Sequence, residues 1–256
     1  RMGANFWGCV EQMKTKLHAN PVVVTIPAGQ DDALEGIIDL IKMRLITRDL
    51  SDKTHRKFNI TPIPEKYLAE ATKRRAEMLD GVSAASDEIT EAILEEKEIT
   101  EEQILKALRK GTLENIFTPV HCGSSKMFHG VQQLLDLVVE CLPNPLERPP
   151  VTATNPKTKE VETRKPEDGE PMSALAFKTV AETNGDLVYI RVYSGIMKPG
   201  ETYMNTTTGK RERIARFYRM MGDKRISLEK AGPGDIVAAM GLADTYTGNT
   251  LSDPDK

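Results

Sequence analysis

The chain is short of cysteine and aromatic residues and has no long apolar run. Its 256 residues include three cysteines, one tryptophan and 5% aromatic side chains. Cys9, Cys122 and Cys141 lie far apart and form no C-x-x-C or Cys/His spacing, which excludes a recognisable zinc site or disulfide framework. They read as buried or incidental thiols, which fits a reducing cytoplasm. No apolar stretch approaches the ~18 residues of a membrane span. No signal-peptide pattern follows Arg1-Met2-Gly3, and a start at Arg1 is expected to be internal to a longer chain. A net charge of −3 with both signs mixed gives no bulk drive toward nucleic acid, so neither DNA nor a membrane is expected as a partner.

Motifs for holding a triphosphate are also missing. A phosphate loop needs G-x-x-x-x-G-K-[ST], so that backbone donors, a lysine and a hydroxyl can grip phosphates and Mg²⁺. The near match from Gly3 to Val10, GANFWGCV, has the glycine spacing but ends in Cys9 and Val10. A thiol and an isopropyl group can do neither job. There is no D-x-x-G and no N-K-x-D. His18, His55, His121 and His129 are scattered, and none stands in a catalytic order with Ser, Cys or a carboxylate. No carboxylate pair suits acid–base work. No catalytic residue and no metal ligand is assigned, and His121 at a strand end reads as a core or supporting residue.

What is present is a strand, a polar turn and a helix between Thr118 and Pro145. Thr118 to Cys122 reads as a short strand, and Gly123-Ser124-Ser125 as a turn that brings N–H groups to the strand end. Open α/β sheets bind ligands at such ends. Val131, Leu134, Leu135, Val138 and Val139 form one apolar helical face, and Pro143 and Pro145 stop the helix. Backbone contact with a purine base is one reading of the turn. Spacing alone favours an ordinary strand-to-helix turn with a serine N-cap.

Upstream, residues 4–19 suit a helix with Phe6, Val10, Met13 and Leu17 on one side. Val22 to Ile26 reads as one buried strand. Glu35 to Ile46 reads as one or two strands, with a further short one at Phe58 to Ile60. Helices are expected near 65–80, 86–97 and 101–110. Thr100 and Gln103 make a capping box, and Gly111 suits the end of the last helix. The acidic run from Glu95 to Glu102 reads as a solvated face or as a docking surface for a basic protein. A strand-and-helix block between two α/β pieces is the pattern of an insertion.

Pro143, Pro145, Pro149, Pro150, Pro156, Pro166 and Pro171 predict a stiff linker over 146–170, with Lys157 to Glu160 at a loop tip. Beyond it, strands are expected near 172–180, 187–194, 201–206, 212–220 and 235–241. Turns are expected at Asn184-Gly185, Lys198-Pro199-Gly200, Thr208-Gly209 and Gly232-Pro233-Gly234. That spacing predicts a small closed or partly closed β-barrel. Arg211, Arg213, Arg216 and Arg219, with Lys210, Lys224 and Arg225, form the densest basic patch. Arg213 and Arg219 are expected on one strand face and Arg216 on the other. Arginine forks suit phosphates, and the interleaved Phe217 and Tyr218 suit nucleic acid; a solvated sheet face fits as well.

Together these pieces resemble the translational GTPases, and among them the elongation factor G family, over essentially the whole chain. Arg1 to Phe6 resembles the segment after the family's N-K-x-D motif. Glu35 to Met43 resembles the start of its G′ insert. His121 to Ser125 resembles the fifth G motif, and Gly130-Val131-Gln132 and Leu142 to Pro145 the stretch after it. Arg191 to Gly195, Gly234 to Ala239 and Thr247 to Leu251 resemble signatures of the second-domain barrel. The insert separates this pattern from the elongation factor Tu group, which lacks one.

The resemblance implies an α/β piece of a P-loop GTPase domain over 1–145, with a G′ insert of α+β type at about 28–114. The linker and an all-β second domain over 171–256 would follow. It implies a parent that uses GTP, GDP and Mg²⁺, binds the ribosome and promotes translocation, while this fragment alone has little nucleotide affinity, is expected to hold no cofactor and is inactive. Ser124, Ser125 and Lys126 would touch the guanine; the family usually has Ala where Ser125 stands and an apolar residue where Lys126 stands. Arg213, Arg216 and Arg219 would face ribosomal RNA. Release factor 3 or a ribosomal-protection protein is the alternative within the family, and a nucleotide-independent ribosome- or RNA-binding adaptor the alternative outside it. A truncated sheet would expose an edge and an apolar patch, favouring self-association.

Overall fold

Helix α1 (Phe6–Leu17) begins where the Asn5 side chain accepts the Gly8 N–H at 2.8 Å, and it ends at His18 in the left-handed region. The glycine spacing that imitates a phosphate loop is therefore a capped helix start. This computed structural model describes residues 2–155, 158–182 and 185–254, and the chain divides into two units between Leu142 and Pro143.

In the first unit the apolar run after α1 is two strands, not one. Strand β1 (Pro21–Val23) lies parallel to a later strand, and β2 (Thr25–Ala28) opens an antiparallel sheet with β3 (Gly36–Asp39), β4 (Arg44–Arg48) and β5 (Phe58–Thr61). Val24 is the crossing point. Its N–H donates to Val120 O at 2.9 Å, and its carbonyl accepts the Leu40 N–H at 3.0 Å. A continuous β-branched run cannot reveal that its two halves pair with different sheets.

Helices α2 (Glu65–Ser83), α3 (Asp87–Leu94) and α4 (Glu101–Leu113) follow. Ala71, Met78 and Val82 of α2 are buried, as are Ile104, Ala107 and Leu108 of α4, in a core shared with Val22, Val24 and Ile26. The capping box forms at Thr100 and Gln103. Gly111 does not end α4; the helix runs on to Leu113, and a Cβ at Gly111 would sit 2.2 Å from the Phe117 ring. This glycine is selected by close packing, not by helix termination.

Strand β6 (Thr118–Val120) pairs in parallel with β1, and helix α5 (Val131–Cys141) closes the unit. Leu137 packs on the core and Cys141 is buried, whereas the expected apolar face points outward: Leu135 is 61% exposed and Val139 76%. No helix among the described residues is long and apolar enough to cross a membrane.

In the second unit the expected linker contains a hairpin, β7 (Val151–Thr154) and β8 (Val161–Arg164). The loop between them is tied by Asn155 N–H to Glu160 O at 2.9 Å; Pro156 and Lys157 lie outside the described residues. Strands β9 (Ser173–Val180), β10 (Leu187–Ser194), β11 (Thr202–Asn205), β12 (Lys210–Arg213), β13 (Arg216–Met221), β14 (Lys224–Ser227), β15 (Ile236–Met240) and β16 (Thr250–Ser252) form one antiparallel sheet. Their order is β12-β11-β16-β9-β10-β15-β13-β14. Among the described residues the end strands β12 and β14 do not pair, so hydrogen bonding does not close the expected barrel. The corner between β12 and β13 is turned by Ile214 and Ala215 instead, whose N–H groups donate to Glu201 O and Met240 O. The core holds Ile190, Val192, Tyr203, Phe217 and Val237. Asn184 lies outside the described residues, while Gly200, Gly209 and Gly234 take positive φ in their turns.

Candidate functional site

The polar turn stands at the carboxyl end of the parallel pair β1 and β6. It is closed by a two-way bridge, Ser124 N–H to His129 O at 2.9 Å and His129 N–H to Ser124 O at 3.0 Å. The Ser124 hydroxyl accepts the Met127 N–H at 3.3 Å, and Phe128 N–H donates to Ser125 O at 3.3 Å. Within this turn only the Ser125 and Lys126 N–H groups lack a partner among the described residues. Both residues are exposed. The serine does not cap α5: its N-cap is Gly130, at φ 76° and with no side-chain bond.

Beneath the turn, His121 is clamped on both ring nitrogens. Its Nδ1 is 3.0 Å from Thr25 Oγ1 and its Nε2 is 2.8 Å from Gly130 O. The Gly130 carbonyl can only accept, so Nε2–H donates to it and Nδ1 of the neutral ring accepts from the Thr25 hydroxyl, whose oxygen also accepts the Cys122 N–H at 2.9 Å. One neutral imidazole thus joins β2, the end of β6 and the start of α5. Burial holds His121 below its ordinary pKa, against the opposing pulls of the Gly130 carbonyl and Asp39. Burial lowers His129 too, with Arg48 adding to the effect. The unfolded rings bind protons that the folded rings refuse, so this stability is complete above the ordinary histidine value and lost as pH falls below it. Melting of the first unit is expected to shift downward from about pH 7 to about pH 5, and less so in His121→Gln. A wild-type melting temperature that does not change over that range would contradict the clamp.

A loop some 70 positions upstream in sequence braces the turn. The Asp52 carboxylate accepts the Thr54 hydroxyl at 2.6 Å and the N–H groups of Thr54, Arg56 and Lys57 at 2.8–2.9 Å. These bonds, the Thr54 hydroxyl foremost, hold Asp52 far below the usual carboxylate range. The loop so shaped stacks His55 on Phe128, ring centroids 4.1 Å apart and nearly parallel. Arg48 also reaches Met127 O at 3.4 Å. Little in the sequence marks this support. Its only local signal was Asp52-x-Thr54, a carboxylate two residues before a hydroxyl.

A cavity of about 270 Å³ opens beside His121. Asp39, Asp136 and Glu140 line it against Lys42 and Arg44, and Asp39 already bonds Arg44 at 3.2 Å. A wall with more carboxylates than cations is a poor cradle for phosphates. Among the described residues no group of three or more His, Cys, Asp or Glu could hold a metal ion. Burial pushes the Cys122 thiol up to about 12 and Cys141 up to about 11, which leaves both unreactive.

In the second unit the three arginines do not share one strand. Arg213 ends β12, Arg216 begins β13, and the fully buried Ile214 lies between them. The expected alternation across 212–220 fails at this break. Arg213 Nε donates to Gly200 O at 3.0 Å, and Arg219 pairs with Asp235 at 3.2 Å. Lys210 pairs with Asp244 at 2.9 Å, and Arg225 with Glu182. Arg216 is exposed and has no ion pair among the described residues.

Residues 171–254 match the family model described as elongation factor G domain 2. The elongation factors G of Thermotoga neapolitana and Thermotoga maritima are each 44% identical to this chain over 254 residues, which is 99% of the chain and 36% of theirs. A solved structure of a Thermus thermophilus protein aligns at a TM-score of 0.72 and 23% identity, over 99% of this chain and 35% of that one, which speaks to the fold alone. The chain thus spans 36% of the length of its curated relatives, and collinear identity on that scale places it in the elongation factor G family, as a stretch that includes domain 2.

Proposed function

We propose that this chain carries the guanine-facing end of a GTPase domain and the second domain of a cytoplasmic translation factor that uses GTP hydrolysis to promote ribosomal translocation. The observation that carries the reading is the Ser124–His129 turn. It stands at parallel strand ends and offers the free N–H groups of Ser125 and Lys126. Ser124, Ser125 and Lys126 would edge the base, and residues beyond this stretch would hold the phosphates and Mg²⁺. The chain's own groups fit the base and not the triphosphate, since the Gly3–Val10 segment is spent on a helix start.

Titration of the 256-residue chain with GDP and with guanosine tests this. Both are expected to bind weakly and alike, with amide shifts centred on Ser125 and Lys126, and no GTP is turned over. Micromolar GDP binding far tighter than guanosine, or shifts elsewhere, would refute it; no response to either ligand would favour the nucleotide-independent adaptor.

Arg213, Arg216 and Arg219 would rest on ribosomal RNA, with Arg216 the readiest because its charge is uncompensated. A triple change to alanine that leaves ribosome binding intact would remove this role. The outward face of α5 would lie against the rest of the GTPase domain. Alone, the chain is expected to self-associate through it, and Leu135→Lys with Val139→Lys to restore a monomer in sedimentation. A monomeric wild type would contradict that expectation.

A further inference from the structure

The second unit carries a half-open cavity of about 390 Å³, within the size range of small-ligand sites. Three arginines line it, Arg148, Arg164 and Arg191, and no carboxylate does. They come from three places in the chain. Arg148 follows the one-turn helix Pro145–Glu147, Arg164 ends β8, and Arg191 lies in the middle of β10. Their charge is largely uncompensated. Arg164 bonds Glu162, which stands outside the cavity. Arg148 has no ion pair among the described residues. Arg191 lies 5.2 Å from the Tyr193 ring centroid, and its Nε is buried without a hydrogen-bond partner. A buried guanidinium N–H left unpaired is costly, and its natural partner is an oxyanion.

The cavity has a built rim. Gly234 takes φ +90°, and a Cβ there would stand 2.5 Å from the Pro145 ring. Only glycine lets that proline lie against the turn before β15. Pro149, Pro150 and Tyr193 supply an apolar wall beside the cations. The cavity of the first unit, lined by three carboxylates, has the opposite character.

We propose that this cavity binds a phosphate ester, with Arg148, Arg164 and Arg191 on the oxyanion and the organic part against Pro149, Pro150 and Tyr193. Guanidinium forks suit phosphate oxygens, and Tyr193 with the prolines suits a flat body.

The test is a titration of the isotope-labelled 256-residue chain with inorganic pyrophosphate, uridine monophosphate and hexauridylate. The readout is the Arg191 Nε–H signal and the Gly234 amide. A saturable shift at both is expected, and the double variant Arg148→Ala/Arg164→Ala should bind about tenfold or more weakly while melting as wild type does. Equal affinity for pyrophosphate and nucleotide identifies the oxyanion as the ligand. Tighter nucleotide binding adds the organic body, and tightest binding of hexauridylate identifies an RNA backbone. No saturable shift at Arg191, equal binding by the double variant, or shifts confined to β12–β14 would overturn the proposal.

Discussion

Replacing Gly130 by alanine is expected to destabilise the first unit by about 2–4 kcal/mol and to lower its melting temperature by roughly 10 °C. Two costs act together. The residue takes φ 76°, where a Cβ is strained in any L residue other than glycine. That Cβ would also stand 2.8 Å from His121 Nε2 and 2.9 Å from Cys122 O. The histidine cannot yield without giving up its bond to the Gly130 carbonyl or the one to Thr25. Local strain is thereby converted into loss of the clamp under the Ser124–His129 turn. The signature is a lower melting temperature together with altered Ser125 and Lys126 amides in NMR. Gly185→Ala is the control, because Gly185 also has positive φ but nothing within 4 Å of its Cβ position. Equal melting of Gly130→Ala and wild type would show that the clamp does not hold the turn.

The second large effect is expected from Phe217→Ala, at about 3–5 kcal/mol. Phe217 is 1% exposed, between Arg216 and Tyr218 on β13. It is the aromatic that fixes this strand to a core containing Ile190, Val192 and Val237. Its loss leaves a cavity under the strand that presents Arg216 and Arg219, so stability should fall, and with it the proposed contact of these arginines with RNA. Phe177→Ala is the comparison, since Phe177 is 39% exposed and its removal should cost far less. If the two variants melt alike, the second unit is not held by this core.

Much of this organisation is legible in the sequence because its causes are local. Thr100 and Gln103 announce α4 through three-residue spacing, and the alternating run from Val188 to Ser194 buries every second side chain as a half-buried strand should. What could not be read depends on partners distant in the chain. Val22 to Ile26 look alike, yet Val23 pairs with Val120 and Thr25 with Asp39. Gly111 resembles a helix end until Phe117 is known to lie against it. Arg213 to Arg219 read as one strand because nothing local marks Ile214 as the residue that turns inward. The candidate site divides in the same way. The turn was visible as Gly123-Ser124-Ser125, but its brace through Asp52, His55 and Phe128 joins segments more than 70 residues apart. The arginines of the second cavity, spread from 148 to 191, carry no motif at all.

On the proposed function, a guanine-side turn and a second domain here belong to a GTPase whose phosphate-binding parts lie elsewhere in the same protein. Reading the gene's frame ahead of Arg1 tests it most directly. Asn-Lys-x-Asp is expected immediately before Arg1, with a G-x-x-x-x-G-K-[ST] loop further upstream. A frame that opens at or just before Arg1, with no such loop, would contradict it.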